Sequence, residues 1–448
     1  MTGFEFLQVF SNPSLRSEYY SENPNLVHFS KKRFLDPITI NGVMGHPKPT
    51  IAFHNCTFIE HVNFSDDKFQ KTYLFFDCTF EKNIHFEGGK FNNLIEFRNG
   101  LINGVLSVEG GEFGEIHIAL NCNKLEIIRG QFDNLEINPI AIPGTSNLKI
   151  NECTINFSET TGNIHIGDYQ IDKLKLRGTV NKDTDFTINE IIYEDFNFYK
   201  FSNNGKIKVS DIKVNPSAPP TRTWMTILRS NLGKTEFVNI DLREIDTIFI
   251  HSSYLIDCLF VNVSWPDRIT IEEKNPTEEN LLDQKETYRQ LKYSYSKQGD
   301  SVLEHRFHGL EMDKYLEYLT VFNKSKKKID KAKRWEIWQT LAVLKLSKWT
   351  SNYGQSLLRP LGTMLCLGLP LFTLAIMIGG VKEYSFSLHH FSFMEMLNTF
   401  PGFLSFLNPL RKYDISDANW GLIPDFMMRI VSSYCIYNFI RASRRFVK

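Results

Sequence analysis

Cys56 and Cys78 are the first residues whose type and spacing suggest chemistry. Each stands in a Cys-Thr-Phe triplet, in "IAFHNCTF" (51–58) and "YLFFDCTF" (73–80), 22 residues apart. Two thiols at a fixed interval can hold a metal or cycle between dithiol and disulfide, if the fold brings them together. His305 and His308, at i and i+3, could share a metal on a helix, but no Cys or carboxylate joins them at ligand spacing. His389 and His390 are adjacent and read as exposed loop residues. Asp425, Arg429, Ser432, Ser433 and Ile436 follow helical spacings and would give an apolar helix one polar face. Such a face either lines an ion path or holds an Asp425–Arg429 pair at a membrane surface. There is no Walker-type phosphate loop, nucleophile elbow or zinc-protease helix, so neither an enzyme nor a cofactor is expected.

The elements that position these residues begin with a repeat. Phe53, Phe64, Phe75, Phe86, Phe97 and Val108 fall 11 apart, as do Phe58, Phe69, Phe80, Phe91, Ile102 and Phe113. Interleaved, they alternate steps of five and six. Neither a helix nor a long strand has that period, but a chain turning a corner every five to six residues does. Four faces make a coil of 22 residues, a small-bore β-solenoid with phenylalanine at its axis. Two residues before the second set stand Cys56, Asp67, Cys78, Gly89, Gly100 and Gly111; two before the first stand larger apolar residues. Residues i and i−2 share a face, so small-plus-large corners alternate with large-plus-large ones. Cys56 and Cys78 thereby stack one coil apart as small core filler, with Gly100 next in the column.

These residues resemble the pentapeptide-repeat family, in the variant with an extra residue in every second repeat. The resemblance covers about residues 51–118 and implies a right-handed quadrilateral β-helix. Fragments such as "LEIIRGQF" (125–132), "IHIGDYQI" (164–171) and "IKVSDIKV" (207–214) extend the solenoid to 51–265, with residues 1–50 as a cap or lead-in. Lys plus Arg and Asp plus Glu both number 51, so no global charge draws the chain to nucleic acid. The mixed surface charge also fits DNA mimicry poorly. Seven cysteines without close pairing read as reduced and cytoplasmic, and the first twenty residues do not read as a signal peptide.

Helical patterning takes over at residue 276. Residues 276–322 read as a helical hairpin capping the solenoid, with Gly299 ending its first helix. Tyr288, Arg289, Leu291, Lys292, Asp300, Glu311 and Met312 are similar to the linker of bacterial pentapeptide-repeat membrane proteins, which carry a two-span, ion-channel-like domain. Residues 323–358 read as a basic amphipathic helix at the membrane interface, carrying Trp335, Trp338 and Trp349. Residues 359–448 read as the membrane domain. Its spans are 360–381, uncharged, and 422–441, and the apolar stretch 391–410 between them is re-entrant or lies at the outer surface. Flanking Lys and Arg place both termini in the cytoplasm of a bacterial inner-membrane, multi-pass protein.

Span, half-helix, span is the layout of tetrameric cation channels. Where a potassium channel carries its carbonyl filter, this chain has Asn398, Thr399, Phe400, Pro401 and Gly402, which is no such filter. A two-span chain encloses a pore only as a homo-oligomer, and the resemblance favours a tetramer. The expected protein is an oligomeric, channel-like membrane protein whose solenoid binds an unidentified cytoplasmic partner or ligand. A stress or phage-defence role follows from the resemblance alone. The alternative is a non-conducting, membrane-tethered scaffold.

Overall fold

The structure is a computed structural model. It describes the chain except residues 12–25, 41–49, 66–70, 140–147, 216–222, 268, 270–276, 326–329, 379–392, 412–419, 421 and 445–448. The chain divides into two units, Met1–Lys274 and Asn275–Lys448.

The first unit is a β-solenoid of about ten coils at about 22 residues per turn. Among the described residues its 22 strands form one continuous sheet of parallel pairings. The register is that expected of the repeat. Phe53 lies beside Phe75 and Phe75 beside Phe97, Phe58 beside Phe80, and Phe64 beside Phe86. Each pair stacks ring on ring, with centroids 4.9, 4.8, 4.6 and 4.4 Å apart in that order. Phe91 stacks on Phe113 at 4.8 Å. Neighbouring columns meet edge to face, as Phe53 does Phe58 and Phe86 does Phe91. Phe69 lies outside the described residues.

The ladder starts upstream of residue 51. Leu26–Ser30, Arg33–Phe34 and Ile38–Ile40 form a coil paired with the next one. Helix α1 (Gly3–Ser11) closes this end: Phe6 lies 5.4 to 6.2 Å from the rings of Phe29, Phe34 and Phe53. The first coil escaped the 22-residue ruler because Phe29 pairs with Phe53, a step of 24.

Irregular spacing beyond residue 119 also has a simple origin. Cys122 pairs with Ile150 and Phe196 with Met225, steps of 28 and 29. Elsewhere Ile171 pairs with Tyr193 and Ile164 with Phe186, both 22. The ladder also shifts register within coils, between Phe132 and Leu135 and between Arg177 and Gly178. Cys153 sits beside Leu125, out of the Cys56–Cys78 column.

One coil turns into the next face at a left-handed residue. Lys31, Asn55, Asp77 and Asn99 have φ of 51°, 51°, 53° and 54°. The Asn55 amide donates to Phe76 O and the Asp77 amide to Arg98 O, both at 2.9 Å. Asn and Asp tolerate this conformation better than most residues. The following Cys56 thiol donates to Phe29 O (3.4 Å) and His54 O (3.5 Å), and Cys78 repeats this with Phe53 O and Phe76 O. At Gly100, next in the column, an added Cβ would stand 2.5 Å from Cys78 O. The glycine there is a requirement of close coil contact.

Six α-helices follow among the described residues of the second unit: α2 (Glu278–Gln298), α3 (Ser301–Ser325), α4 (Lys331–Ser351), α5 (Leu358–Met377), α6 (Phe393–Leu407) and α7 (Leu422–Arg444). Thr277 caps α2, accepting from the Asn280 amide, and Gly299 ends it at φ 77°. The solenoid predicts a test of its own. Phe75→Ala removes a ring flanked by Phe53 and Phe97 and costs about 3–5 kcal/mol, whereas Phe75→Leu costs under about 1.5 kcal/mol. Chemical denaturation followed by solenoid circular dichroism reads the difference.

Candidate functional site

The second unit concentrates its unusual chemistry in four places: the hairpin's ion pair, the two faces of α4, a charged knot in the α5–α7 bundle, and the bundle's outer surface. In the hairpin, Tyr288 is buried and Tyr295 stacks on Phe307 at 5.5 Å. Lys292 Nζ donates to Glu311 Oε2 at 2.8 Å, with both side chains largely buried. Burial alone would push the Glu311 carboxyl up, but hydrogen bonds from His308 and Lys292 outweigh it and hold the group below its ordinary value. His305 Nδ1 lies 2.7 Å from Ser301 O and His308 Nδ1 lies 3.8 Å from Glu311, so the two imidazoles serve different partners. Among the described residues no three His, Cys, Asp or Glu side chains are grouped to hold a metal.

Helix α4 is apolar on two sides. Ile337, Leu341 and Leu344 are buried with Leu319 and Tyr353, against α3. On the other side Trp335, Trp338 and Trp349 are 59%, 58% and 56% exposed, and Leu346 is 51% exposed. One face accounts for folding; the other meets solvent unless something covers it. After α4, Asn352, Tyr353 and Gly354 take left-handed φ of 49°, 58° and 83° in succession. The joint is held on several sides. The Thr350 hydroxyl lies 3.4 Å from that of Tyr434, and Gln355 Nε2 donates to His305 O (2.9 Å) and Arg306 O (3.2 Å).

Helices α5, α6 and α7 share a core of Phe372, Ala375, Ile376, Phe403, Phe406, Leu407 and Met428. Gly368 sets the packing distance: a Cβ there would meet Leu407 Cδ2 at 2.6 Å and Met428 Cε at 3.3 Å. At one end of this core lies a knot of charge. Asp425 is buried, and its two carboxylate oxygens are divided between Arg411 and Arg429, the latter with Nε at 2.9 Å. The Arg411 guanidinium also lies 5.4 Å from the Phe406 ring centroid. Sequence reading found the Asp425–Arg429 half and missed Arg411. Its signal was the adjacent cations Arg411 and Lys412 just beyond a strongly apolar stretch.

The five polar-face candidates divide. Asp425 and Ser432 are buried and Arg429 is largely so, whereas Ser433 is exposed and Ile436 is 38% exposed. The buried Ser432 hydroxyl has no hydrogen-bond partner among the described residues. Residues 398–402 lie within continuous α6. Phe400 is exposed, Pro401 is accommodated in the helix, and the side chains of Asn398 and Thr399 lie outside the described residues. His389 and His390 lie outside them altogether. Among the described residues α5 is the one helix long and apolar enough to cross a membrane, by length and composition. The bundle nevertheless shows apolar side chains outward on two helices: Leu365, Leu369 and Leu374 on α5, and Ile423, Phe426 and Ile430 on α7.

In the solenoid, Cys78 is pushed up by its hydrogen bond with Cys56 and by burial, and burial pushes the Cys122 thiol up to about 12. Buried, protonated thiols suit core filler and make poor redox centres. On the solenoid's outer surface lies an open groove of about 400 Å3, where Glu152 pairs with Lys175 at 3.0 Å and Arg177 neighbours the exposed Tyr199. No protein-family model, curated protein or solved structure matches the chain.

Two outcomes test these sites. Removing the charge between two arginines leaves cations without their counter-ion, so Asp425→Asn destabilises the helical unit by about 3–5 kcal/mol, read as a lowered melting temperature in detergent, while Asp425→Glu keeps most of the stability. Glu311 contributes stability above its unfolded-state value near about 4.3, and that contribution is lost as pH falls through its lower folded value. Protection factors in α2 and α3, taken relative to the intrinsic exchange rate at each pH, therefore fall on acidification, and Glu311→Gln flattens that acid limb.

Proposed function

We propose that this chain is a bacterial inner-membrane protein. Its β-solenoid binds a cytoplasmic partner or ligand, and its helical unit assembles with copies of itself in the bilayer as a channel-like module. The observation that carries this reading is the surface of α5 and α7. Leu365, Leu369 and Leu374 on one helix and Phe426 and Ile430 on the other face outward, beside a core already filled by Phe372, Phe403 and Met428. An apolar exterior over an apolar interior suits a hydrocarbon solvent. Asp425 between two arginines fits it as well, since charge in a bilayer is tolerated when paired inside the protein. Both termini in the cytoplasm, a tetrameric state and the pentapeptide-repeat membrane family belong to the same proposal.

A second reading, the non-conducting tether, is favoured by a specific observation. Residues 398–402 are helical, so their carbonyls are engaged within α6 rather than offered to an ion, and Asp425 is engaged by arginines. Conduction would then need the exposed side of α7, with Ser433 and Ile436, to face a shared axis.

Planar-bilayer recording of the purified full chain separates the two. A channel gives unitary currents that Ser433→Trp lowers severalfold, and cross-linking in detergent gives a closed oligomer. Absence of current from protein that cross-links only as a monomer rules out the channel and leaves the tether.

A further inference from the structure

We propose that α4 carries a site for an anionic phospholipid. The headgroup phosphate sits among Lys331, Arg334, Trp335 and Trp338, and the tryptophan stripe beyond lies in the acyl boundary. The proposal rests on the membrane reading above and adds the class of lipid.

The geometry of the helix carries it. At 3.6 residues per turn, Trp335, Trp338, Ala342, Leu346 and Trp349 fall on one stripe, opposite the buried Ile337, Leu341 and Leu344. The cations are not spread evenly around that helix. Of its five, Lys331, Arg334 and Lys345 stand seven and four residues before Trp338 and seven after it, along one flank of the stripe, while Lys333 lies on the far side of the helix from Trp335. Glu336 is the only carboxylate of α4 and lies about 100° round from Trp335. None of the three cations makes an ion pair among the described residues, whereas Lys348, farther round, pairs with Asp313 at 2.8 Å.

Beside this flank opens a cavity of about 360 Å3, lined by Asn323, Lys331, Arg334, Trp335 and Trp338. Among the described residues no carboxylate is in its lining. The two indoles stack at 5.1 Å, forming an apolar wall. The other groups are donors: an ammonium, a guanidinium, an amide and the indole N–H. A phosphodiester supplies the complementary acceptors and one negative charge. The choline group of a zwitterionic lipid would bring a cation against Lys331 and Arg334, so the site discriminates by charge. Continuity supports the same occupant. Residues 352–357 alone separate α4 from α5, the helix apolar enough to cross a membrane, which brings the Trp349 end of this face to the start of that span, with the Lys331–Trp338 end about 20–30 Å away along α4.

The test uses the full chain in nanodiscs of phosphatidylcholine with and without phosphatidylglycerol. Native mass spectrometry reads retained lipid, and hydrogen exchange reads residues 331–349. Wild type retains phosphatidylglycerol over phosphatidylcholine and gains protection in α4 only when it is present. Each basic residue near an anionic surface is worth about fivefold in binding, so Lys331→Gln/Arg334→Gln/Lys345→Gln lowers the preference on the order of 100-fold. The variant still resists alkaline extraction from membranes, because α5 is untouched. Equal retention of both lipids by wild type, or an unchanged preference in the variant, overturns the proposal while leaving the membrane reading intact. Displacement of the lipid by soluble glycerol phosphate overturns the lipid assignment in favour of a free phosphate site. Alkaline extraction of wild type overturns the membrane reading and this proposal together.

Discussion

The solenoid depends on one coincidence of lengths. Parallel strands lie about 4.8 Å apart, and an aromatic ring stacks on its neighbour at nearly that distance. A coil that places one phenylalanine over another therefore satisfies backbone and side chains with the same rise. The columns Phe29–Phe53–Phe75–Phe97 and Phe34–Phe58–Phe80 hold centroid spacings of 4.6 to 5.2 Å. Edge-to-face contacts tie one column to the next, so a ring cannot move without disturbing two columns. The rest of this unit follows. Left-handed residues make the corners, and small residues leave room for the rings.

That constraint explains what was legible in the sequence. The 11-residue recurrence of phenylalanine is the core itself written linearly, so coil length, inward faces and the Cys56–Cys78 column could be read directly. The first coil was hidden because two extra residues between Phe29 and Phe53 break the ruler, although the side-chain chemistry is unchanged. Beyond Cys122 the rings are interspersed with Ile, Leu and Val, which a strand accepts with less signature, and steps of 28 and 29 reset the count. Gly100 was legible as small but not as obligatory. The demand comes from Cys78 O in the neighbouring coil, a contact of the folded chain that no local pattern carries.

The helical unit was legible for a different reason and to a different depth. Helix ends are local events, so the change of patterning at residue 276 and Gly299 announced α2, and the uncharged run 360–381 announced α5. Tertiary pairing is not local. The spacing of Asp425, Arg429, Ser432, Ser433 and Ile436 suggested a single polar face. Packing divides it, because the interior of α5–α7 takes Asp425 and Ser432 while Ser433 stays outside. Arg411 completes the charge knot from beyond the end of α6, a place helical periodicity cannot predict.

The consequence for function lies in where the two units can yield. A solenoid whose rings interlock in columns offers no alternative packing, so it acts as a fixed surface. The helical unit holds its conformational strain at Asn352, Tyr353 and Gly354, three successive left-handed residues between α4 and α5. Non-glycine residues in that region cost of order 1–3 kcal/mol each and persist only where their surroundings enforce them. Here the enforcement comes from Tyr434 on α7, from the Gln355 bonds to α3, and from Arg441 against Gly354. The joint thus fixes α4 to α3, α5 and α7 at once. On the proposed reading, a change in what covers the tryptophan face of α4 acts directly on the base of the membrane bundle. A flexible tether of the same length would insulate the bundle from it.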